Sequence, residues 1–223
     1  MQPRKRITKV ESIPLPAVRR LSLYLRQLES FADQNRKMVS SRQLGEVLGL
    51  SDAQVRKDLA YFGQFGHSGI GYRVAELIQR VRSILGTDRM SSVLLVGAGN
   101  LGRALVAFRG FQKRGFELVA VVDKDPQKVG QVTDGPNRLK IHAASDMPAL
   151  VRRHAIRAGI LAVPASAAQQ VAEEMVAAGI RGILNFAPVA LKVAANVSVA
   201  SVDLAIHLEQ LSFELISANQ AEG

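Results

Sequence analysis

Seven residues, VGAGNLG from Val96 to Gly102, constrain the fold of this 223-residue chain more than any other stretch. The apolar run SVLLV that leads into them predicts a buried parallel strand, and LGRALVAF predicts a helix directly after the turn. A second apolar run, ELVAVVD, ends in Asp123, 21 residues beyond Gly102. Strand, glycine turn, helix and acid-terminated strand together predict a dinucleotide-binding Rossmann unit.

Each glycine of this turn has a predicted task. Gly97 permits the tight turn, Gly99 lets a pyrophosphate approach the backbone, and Gly102 brings the helix, whose N-terminus holds the phosphates, against the strand. Asp123 is predicted to accept hydrogen bonds from the adenine ribose and to favour NAD over NADP, a preference that Lys124 weakens. The predicted cofactor contacts here are Gly97, Ala98, Gly99, Asn100, Leu101, Gly102, Asp123 and Lys124.

Strands and helices continue to alternate after Asp123. GILAVP (159–164) and GILNF (182–186) predict short buried strands on either side of a helix over 165–178. This alternation predicts an α/β fold with a doubly wound parallel sheet. The carboxyl ends of the two strands, where such sheets bind ligands, carry Pro164, Ala165, Asn185 and Phe186.

This region lacks a convincing general acid or base. All three tyrosines precede it, His142 and His154 fall outside the predicted strand ends, and His207 belongs to the final helix. Proton transfer needs a group within hydrogen-bond reach of the substrate. We therefore expect no catalytic residues and no enzymatic activity.

The first 90 residues are basic. Lys and Arg number 16 there against 8 Asp and Glu, whereas residues 91–223 carry 13 against 11. Such asymmetry favours contact with a polyanion, although basic surfaces also serve solubility. The four basic residues within the first nine are either an arm along DNA or a solvated tail.

The composition also bounds the compartment. Without cysteine, disulfides and Cys-ligated metals are excluded, and the four scattered histidines predict no metal site. No apolar run approaches the ~18 residues of a membrane span, and no signal-peptide core follows the basic start. We expect a soluble cytoplasmic protein.

A helix-turn-helix is predicted within the basic region. Pro16 opens a first helix with an apolar stripe at three- and four-residue spacing. Ser40 and Gln43 then have capping-box spacing, and Gly49 suits a left-handed C-cap. Ser51 opens the next short helix, SDAQVRKDLAYF, after a turn that contains glycine, as a helix-turn-helix requires.

The second of these short helices has DNA-reading chemistry on its polar face. Arg pairs with guanine, Gln with adenine, and Lys or Tyr with phosphate. The hairpin predicted for QFGHSGIGYRV would add a wing. The predicted DNA contacts are Ser51, Gln54, Arg56, Lys57, Tyr61, His67 and Arg73.

Two of these residues have local alternatives. Gln54 has the position that completes a capping box with Ser51, and Arg56 the spacing of a helical ion pair with Asp52. For Gln54 both interpretations stay open, while DNA contact is favoured for Arg56 and Lys57.

Six blocks in one order resemble the Rex family of redox-sensing transcriptional repressors. They are PAVRRLSLYLRQLE, SDAQVRKDLAYFGQFGHSGIGYRV, VGAGNLGRAL, VPASAAQ, AGIRGILNFAPV and VDLAIHLEQLSF. The resemblance covers residues 13–215. It implies a homodimer that binds an inverted-repeat operator in double-stranded DNA when NADH is scarce and releases it when NADH accumulates.

The resemblance also implies a domain plan. Residues 1–87 would form a winged-helix DNA-binding domain with a basic N-terminal arm, 88–202 a Rossmann domain for NADH or NAD⁺, and 203–223 a helix and tail exchanged between subunits. Arg26 and Asp203 match the family's interdomain pair, and Phe108 stands where the family typically has tyrosine, so that contact lacks a hydroxyl. The residues predicted to distinguish the two nicotinamide forms are Asn185, Phe186 and Leu204.

Two rival functions stay open. One is an NAD-dependent dehydrogenase with an accessory basic domain. The other is a regulator that binds coenzyme A or another nucleotide, because the glycine turn recognises phosphate as much as nicotinamide.

Overall fold

The computed structural model describes residues 13–63 and 71–221, with side chains through residue 217. The chain divides into two compact units, Met1–Arg89 and Met90–Gly223. Each unit has its own hydrophobic core, one in the first and two in the second. The division falls two residues after the expected end of the DNA-binding domain at residue 87.

In its described residues, the first unit packs four helices around one core. They are α1 (Leu15–Asp33), α2 (Ser41–Leu48), α3 (Asp52–Ala60) and α4 (Val74–Leu85), with two short strands, β1 (Met38–Val39) and β2 (Tyr72–Arg73). The predicted stripe of α1 is buried at Leu21, Leu25 and Leu28, and Tyr24 is buried beside it. The stripe was predicted from apolar residues alone, so Tyr24 was missed.

The caps of the helix-turn-helix are confirmed. Ser40 Oγ accepts from the Gln43 N–H at 3.1 Å while Ser40 N–H donates to Gln43 Oε1 at 3.0 Å. Gly49 is left-handed, at φ 66°. Gly45 on α2 was missed by the sequence reasoning. A Cβ there would lie 2.5 Å from the Leu50 carbonyl oxygen, so the turn requires glycine at that position.

Only part of the predicted wing lies among the described residues. Residues 64–70, and with them His67, lie outside the described residues. The strand that follows, β2, pairs antiparallel with β1, which precedes α2. The strand β2 therefore pairs with a strand more than 30 residues earlier in the chain. The sequence predicted instead a tight hairpin within residues 64–74.

The second unit is a six-stranded parallel sheet with helices on both faces. Its strands are β3 (Ser91–Val96), β4 (Phe116–Asp123), β5 (Ile141–Ala143), β6 (Ala158–Leu161), β7 (Gly182–Asn185) and β8 (Ser198–Ser201). Its helices are α5 (Asn100–Ala107), α6 (Gly110–Lys113), α7 (Met147–Arg153), α8 (Ala165–Ala178) and α9 (Leu204–Ala221). The strand order is β5-β4-β3-β6-β7-β8, which confirms the doubly wound fold.

The side chains of β3 build the cores on both faces. Leu94 belongs to a cluster with Met175 of α8, whereas Leu95 belongs to a second cluster with Val106 of α5. Successive strand residues point to opposite faces, so a strand covered on both sides is apolar throughout. This explains why SVLLV predicted a buried strand. The order also reverses beside β3, which places its carboxyl end at the switch point where such sheets bind ligands.

Candidate functional sites

The glycine turn lies between β3 and α5, and the fold itself requires two of its glycines. Gly97 has φ +101°, and a Cβ on it would clash with the carbonyl oxygen of Ala162 after β6. A Cβ on Gly102 would clash with the carbonyl oxygen of Gly97. The glycine turn therefore packs against the end of β6 on one side and the first turn of α5 on the other, with no room for a Cβ at either glycine.

Gly99 differs from both neighbours. Its backbone is extended, at φ −76° and ψ −166°, and a Cβ there would meet nothing within 4 Å. Neither conformation nor internal packing requires glycine at this position. Open space over the backbone at the N-cap of α5, a helix that has no side-chain cap, fits the approach of a pyrophosphate group.

Asp123 joins the glycine turn to the end of β4. Its Oδ2 accepts from the Ala98 N–H at 2.6 Å and its Oδ1 from the Asp125 N–H at 2.8 Å. Burial alone would raise the pKa of Asp123, but these two N–H groups and Lys128 outweigh it and hold the pKa below its usual value. The carboxylate is therefore charged, and Oδ1, which accepts from Asp125 alone, keeps acceptor capacity for a ribose hydroxyl.

Lys128 is the cation at this carboxylate. Its Nζ lies 3.4 Å from Asp123 Oδ2 and 3.6 Å from Asp125 Oδ2. The sequence reasoning named Lys124, which is exposed and has no carboxylate contact among the described residues. The spacing of Lys128 from Asp125, three residues within a turn, was the available signal. Ligand contact by Lys124 stays a prediction.

Asn185 shapes the loop at the end of β7. Its side chain is fully buried, donating from Nδ2 to the Val189 carbonyl oxygen at 2.9 Å and accepting at Oδ1 from the Ala187 N–H at 2.9 Å. Its own carbonyl oxygen accepts from the Val202 N–H at 2.8 Å. These groups are occupied within the protein, so the structure assigns Asn185 a positioning role, and its predicted cofactor contact stays a prediction.

Other residues gather at the same edge of the sheet. Pro164 and Ala165 are exposed at the start of α8, and Phe186 is half-buried in the apolar cluster that also holds Ala98. His142, predicted to fall outside the strand ends, lies on β5 one residue before its carboxyl end. The missed strand β5 has only three residues, too few for a periodic signal.

The residues of the implied interdomain contact are divided between the two units. Arg26 is exposed on α1. Phe108 caps the C-terminal end of α5, 57% exposed, and its ring lies edge-on to Phe111 with centroids 5.1 Å apart. Asp203 Oδ1 accepts from the Ala205 N–H at the start of α9, next to the exposed Leu204. Their pairing stays a prediction.

The polar face of α3 carries the predicted DNA contacts. Ser51 caps the helix, and Arg56, Lys57 and Tyr61 are exposed on it. Arg56 Nη1 contacts Asp52 Oδ2 at 2.5 Å, so the helical ion pair forms. An exposed pair of this kind contributes little to stability and does not prevent contact with DNA. Arg73, on β2, is also exposed.

Of the two alternatives for Gln54, the structure decides only the capping box, and DNA contact stays a prediction. Its backbone N–H donates to Ser51 Oγ at 3.1 Å, as in a cap, but its side chain does not complete the capping box. Instead Nε2 donates to Asp58 Oδ1 at 2.7 Å. The capping-box interpretation of this side chain is wrong, because the buried acid one turn later competes for its amide.

Asp58 is the centre of a buried polar cluster that the sequence reasoning missed. Arg20 Nη2 donates to Oδ1 at 2.8 Å, Arg20 Nε and Tyr24 Oη donate to Oδ2, and Gln54 completes the set. Burial alone would raise the pKa of Asp58, but the hydrogen bonds from these residues hold it below the usual value. Burial raises the pKa of Tyr24, and the hydrogen bond to Asp58 raises it further. These residues, Arg20, Tyr24, Gln54 and Asp58, are the Asp58 cluster.

Residues 13–63 and 71–221 contain neither a metal-binding cluster nor a membrane-spanning helix. No three His, Asp or Glu side chains there are grouped so that they could hold a metal ion. None of the helices in that part of the chain is both long and apolar enough to cross a membrane.

Two families match parts of the sequence. Residues 12–60 match the family described as putative DNA-binding protein N-terminus, and residues 88–189 match the family described as CoA binding domain. The first match covers α1 to α3, and the second covers the glycine turn and β3 to β7. The first match falls within the first unit, and the second falls within the second unit except for residues 88 and 89.

Matches to individual relatives extend over nearly the whole chain. The redox-sensing transcriptional repressor Rex of Pelotomaculum thermopropionicum is 44% identical over 216 residues, covering 96% of this chain and 100% of its own length. Repressor Rex 1 of Thermotoga maritima is 40% identical over 209 residues, covering 94% and 99%. These identities extend across both units.

Solved structures agree with that match. A crystal structure of RSP in complex with β-NAD⁺ and operator DNA superposes with a TM-score of 0.87 at 34% identity, covering 95% of this chain and 96% of that one. RSP in complex with β-NADH gives a TM-score of 0.84 at 33% identity, covering 96% and 99%. A further RSP structure is described as a Rex-family repressor.

Proposed function

Because the chain belongs to the Rex family of redox-sensing transcriptional repressors, we propose that it binds inverted-repeat operator DNA and releases it when NADH binds. The observation that carries this proposal is Gly99, whose open backbone at the switch point needs a ligand to explain it. The family match supplies the nature of that ligand, since an RSP structure contains β-NADH.

The cofactor site is proposed around the glycine turn and Asp123. NAD(H) would lay its pyrophosphate over Gly99 and its adenine ribose against the carboxylate of Asp123. The charged, buried Asp123 disfavours a 2′-phosphate, and Lys128 reduces that repulsion. The remaining predicted contacts are Ala98, Asn100, Leu101, Lys124, Pro164, Ala165, Asn185 and Phe186.

The DNA site is proposed on α3 and the strand β2. Arg56 and Gln54 would reach base edges, whereas Lys57, Tyr61 and Arg73 would contact phosphates. The exposure of Arg56, Lys57 and Arg73 supports this assignment. One relative, RSP, has been crystallised with operator DNA.

A homodimer is proposed because of α9. Seven large apolar side chains of this helix, among them Phe213 and Leu215, are between 48% and 70% exposed. A helix that exposes so many large apolar side chains requires burial against a partner. We assign that partner to a second copy of the chain, which would also duplicate α3 for the two half-sites of an inverted repeat. Asp203 at the start of α9 would pair with Arg26 of the partner, beside Phe108.

The same proposal has no catalytic step. NADH and NAD⁺ would act as alternative ligands, with Phe186 and Leu204 near the nicotinamide ring where they differ. We place the protein in the cytoplasm, where both DNA and NADH occur. The match of residues 88–189 to the CoA binding domain family favours coenzyme A as a second candidate ligand. Calorimetric titration with NADH, NADPH and coenzyme A separates these ligands.

A band-shift titration tests the proposed function. Full-length protein binds a duplex selected by that protein from random-sequence DNA, with NADH and NAD⁺ varied separately. Coupling between sites is typically 1–3 kcal/mol, so saturating NADH is expected to weaken DNA binding about 5- to 150-fold, and NAD⁺ less. Equal affinity with and without NADH would overturn the proposal.

A further inference from the structure

The carboxylate of Asp58 receives more hydrogen bonds than holding two helices together requires. It is 0% exposed, and Arg20 engages both of its oxygens. Bidentate Arg–carboxylate geometry is already the strongest side-chain clamp available. Tyr24 and Gln54 add one bond each. Of these donors, only Gln54 lies on the N-terminal turn of α3, the part of such a helix that reaches bases.

Asp58 decides which end of the Gln54 amide faces it. An ionised carboxylate accepts hydrogen bonds and has no hydrogen to donate. Gln54 must therefore turn its NH₂ group towards Asp58, as the 2.7 Å bond between Nε2 and Oδ1 has it. The other orientation would place the Gln54 carbonyl oxygen against a buried negative charge. The amide keeps its carbonyl oxygen and one N–H for other partners.

Those two remaining groups form the pair that recognises adenine. A glutamine reads adenine by accepting from N6 and donating to N7. A free glutamine can flip its amide and lose that pattern, whereas one anchored through its second N–H cannot. Gln54 is only half-buried, so its outer edge is accessible.

We propose that Asp58 is a positioning residue for base recognition, holding the Gln54 amide so that its carbonyl oxygen and free N–H read an adenine in the operator. This inference rests on the proposed DNA-binding function. It makes Gln54 a specificity determinant and Asp58 the residue that orients it, with Arg20 keeping Asp58 charged and in place.

Tyr24 provides a matched control. Its hydroxyl donates to Asp58 Oδ2, whereas Gln54 donates to Oδ1. Tyr24→Phe therefore removes one buried hydrogen bond from the cluster and leaves the Gln54 contact intact. Asp58→Asn replaces one acceptor oxygen by an NH₂ group and frees Gln54 to flip.

The experiment compares two DNA affinities for each full-length variant. One probe is the duplex that the wild type selects from random DNA, and the other is a scrambled duplex of the same composition. The readout is the ratio of the two affinities, because partial unfolding lowers both equally. We expect Asp58→Asn and Gln54→Ala each to lower the ratio about tenfold, and Tyr24→Phe to change it less than about twofold.

A double variant sets the decisive outcome. In the Gln54→Ala background, Asp58→Asn is expected to leave the ratio unchanged, since no amide remains to be oriented. An equal drop in that background would overturn the inference, as would an unchanged ratio in the single Asp58→Asn variant. If the wild type selected no sequence at all, the proposed function itself would fail.

A second measurement covers the case in which Asp58→Asn does not fold. In the wild type labelled with ¹⁵N, the Gln54 side-chain amide is assigned by its absence in Gln54→Ala. We expect one of its two protons to be shifted downfield and protected from solvent exchange. Two protons with the shifts and exchange rates of a free glutamine would contradict the proposed anchoring.

Discussion

Two buried aspartates, Asp58 in the first unit and Asp123 in the second, are both held as carboxylates by hydrogen bonds but differ in the donors that hold them. Both are charged because their hydrogen bonds outweigh the cost of burial. Asp58 is bound mainly by side chains that come from α1 and α3. Asp123 is bound by two backbone N–H groups and one partly exposed lysine.

This difference separates a structural charge from a ligand-facing one. Arg20 and Tyr24 reach Asp58 only when α1 has packed against α3, so its charge is tied to the folding of that unit. The donors of Asp123 come from the glycine turn and from the loop directly after β4, and Oδ2 is bonded to the N–H of Ala98, the residue before Gly99. Losing Asp58 should therefore cost stability first, and losing Asp123 should cost ligand affinity first.

The largest expected effect is on stability. Asp58→Ala leaves the guanidinium of Arg20 without its partner, and breaking such a buried pair costs about 3–5 kcal/mol. The side chain of Arg20 is 25% exposed, so we expect a value near the lower end, measured by urea unfolding. Tyr24→Phe should cost about 1 kcal/mol. An Asp58→Ala protein as stable as Tyr24→Phe would refute the structural role.

The charge of Asp58 should also appear in the pH dependence of the free energy of unfolding. The pKa of Asp58 is lower in the folded protein than in the unfolded chain, so the stabilisation is complete above the unfolded pKa and is lost as pH falls through the folded one. We expect the unfolding free energy of the wild type to decline below about pH 5. The decline should be shallower in Asp58→Asn, and equal slopes would argue against a charged Asp58.

A smaller effect, on ligand affinity, is expected at the other aspartate. Asp123→Asn weakens charge-assisted hydrogen bonds to ribose, which should cost about 2 kcal/mol or roughly thirtyfold in NADH affinity. Calorimetric titration measures it, with unfolding recorded in parallel. If the free energy of unfolding fell by several kcal/mol while NADH affinity hardly changed, Asp123 would be a structural residue like Asp58, and the ligand-facing role would be wrong.

Gly99 and Gly102 show the same contrast between ligand affinity and stability within the glycine turn. Gly99→Ala meets no protein atom, so stability should change by less than about 0.5 kcal/mol. NADH affinity should nevertheless fall about tenfold, because the methyl group occupies the place of the pyrophosphate. Gly102→Ala, whose methyl group would clash with Gly97, is the matched variant that should instead lose stability. Unchanged NADH binding by Gly99→Ala would count against the assigned pyrophosphate site.

The smallest expected effect concerns Lys128. Its pairing with Asp123 is partly exposed, so Lys128→Gln should change energies by only ~0.5 kcal/mol. The direction is specific. Loss of the cation strengthens repulsion of a 2′-phosphate, so the preference for NADH over NADPH should rise about twofold. Lys124→Gln is the comparison variant; a larger effect there than in Lys128→Gln would exchange the roles of the two lysines.

Sequence patterns predicted most of the fold because its signals are local. The capping box at Ser40, the left-handed Gly49 and the 165–178 helix depend on residues within a few positions of one another. The strand that leads to Gly97 was recognisable because burial on both faces makes it apolar throughout. These features do not depend on how distant segments pack.

The features that were missed depend on distant segments or carry little periodic signal. Arg20 and Asp58 are 38 residues apart, so nothing near α3 in the sequence announces their bond. Gln54 gave a local cap signal, but its side-chain amide bonds instead to Asp58, one turn later on the same helix. The last strand, SVAS, is partly polar and only four residues long, which leaves no hydrophobic pattern to detect.

The central claim is that occupancy at the glycine turn and occupancy at α3 are coupled. Calorimetric titration of NADH into the full-length protein, alone and saturated with its selected operator, tests it most directly. By linkage, the Kd for NADH should be weaker with operator by the same factor, about 5- to 150-fold, by which NADH weakens operator binding. One Kd for NADH, the same with and without operator, would contradict the account.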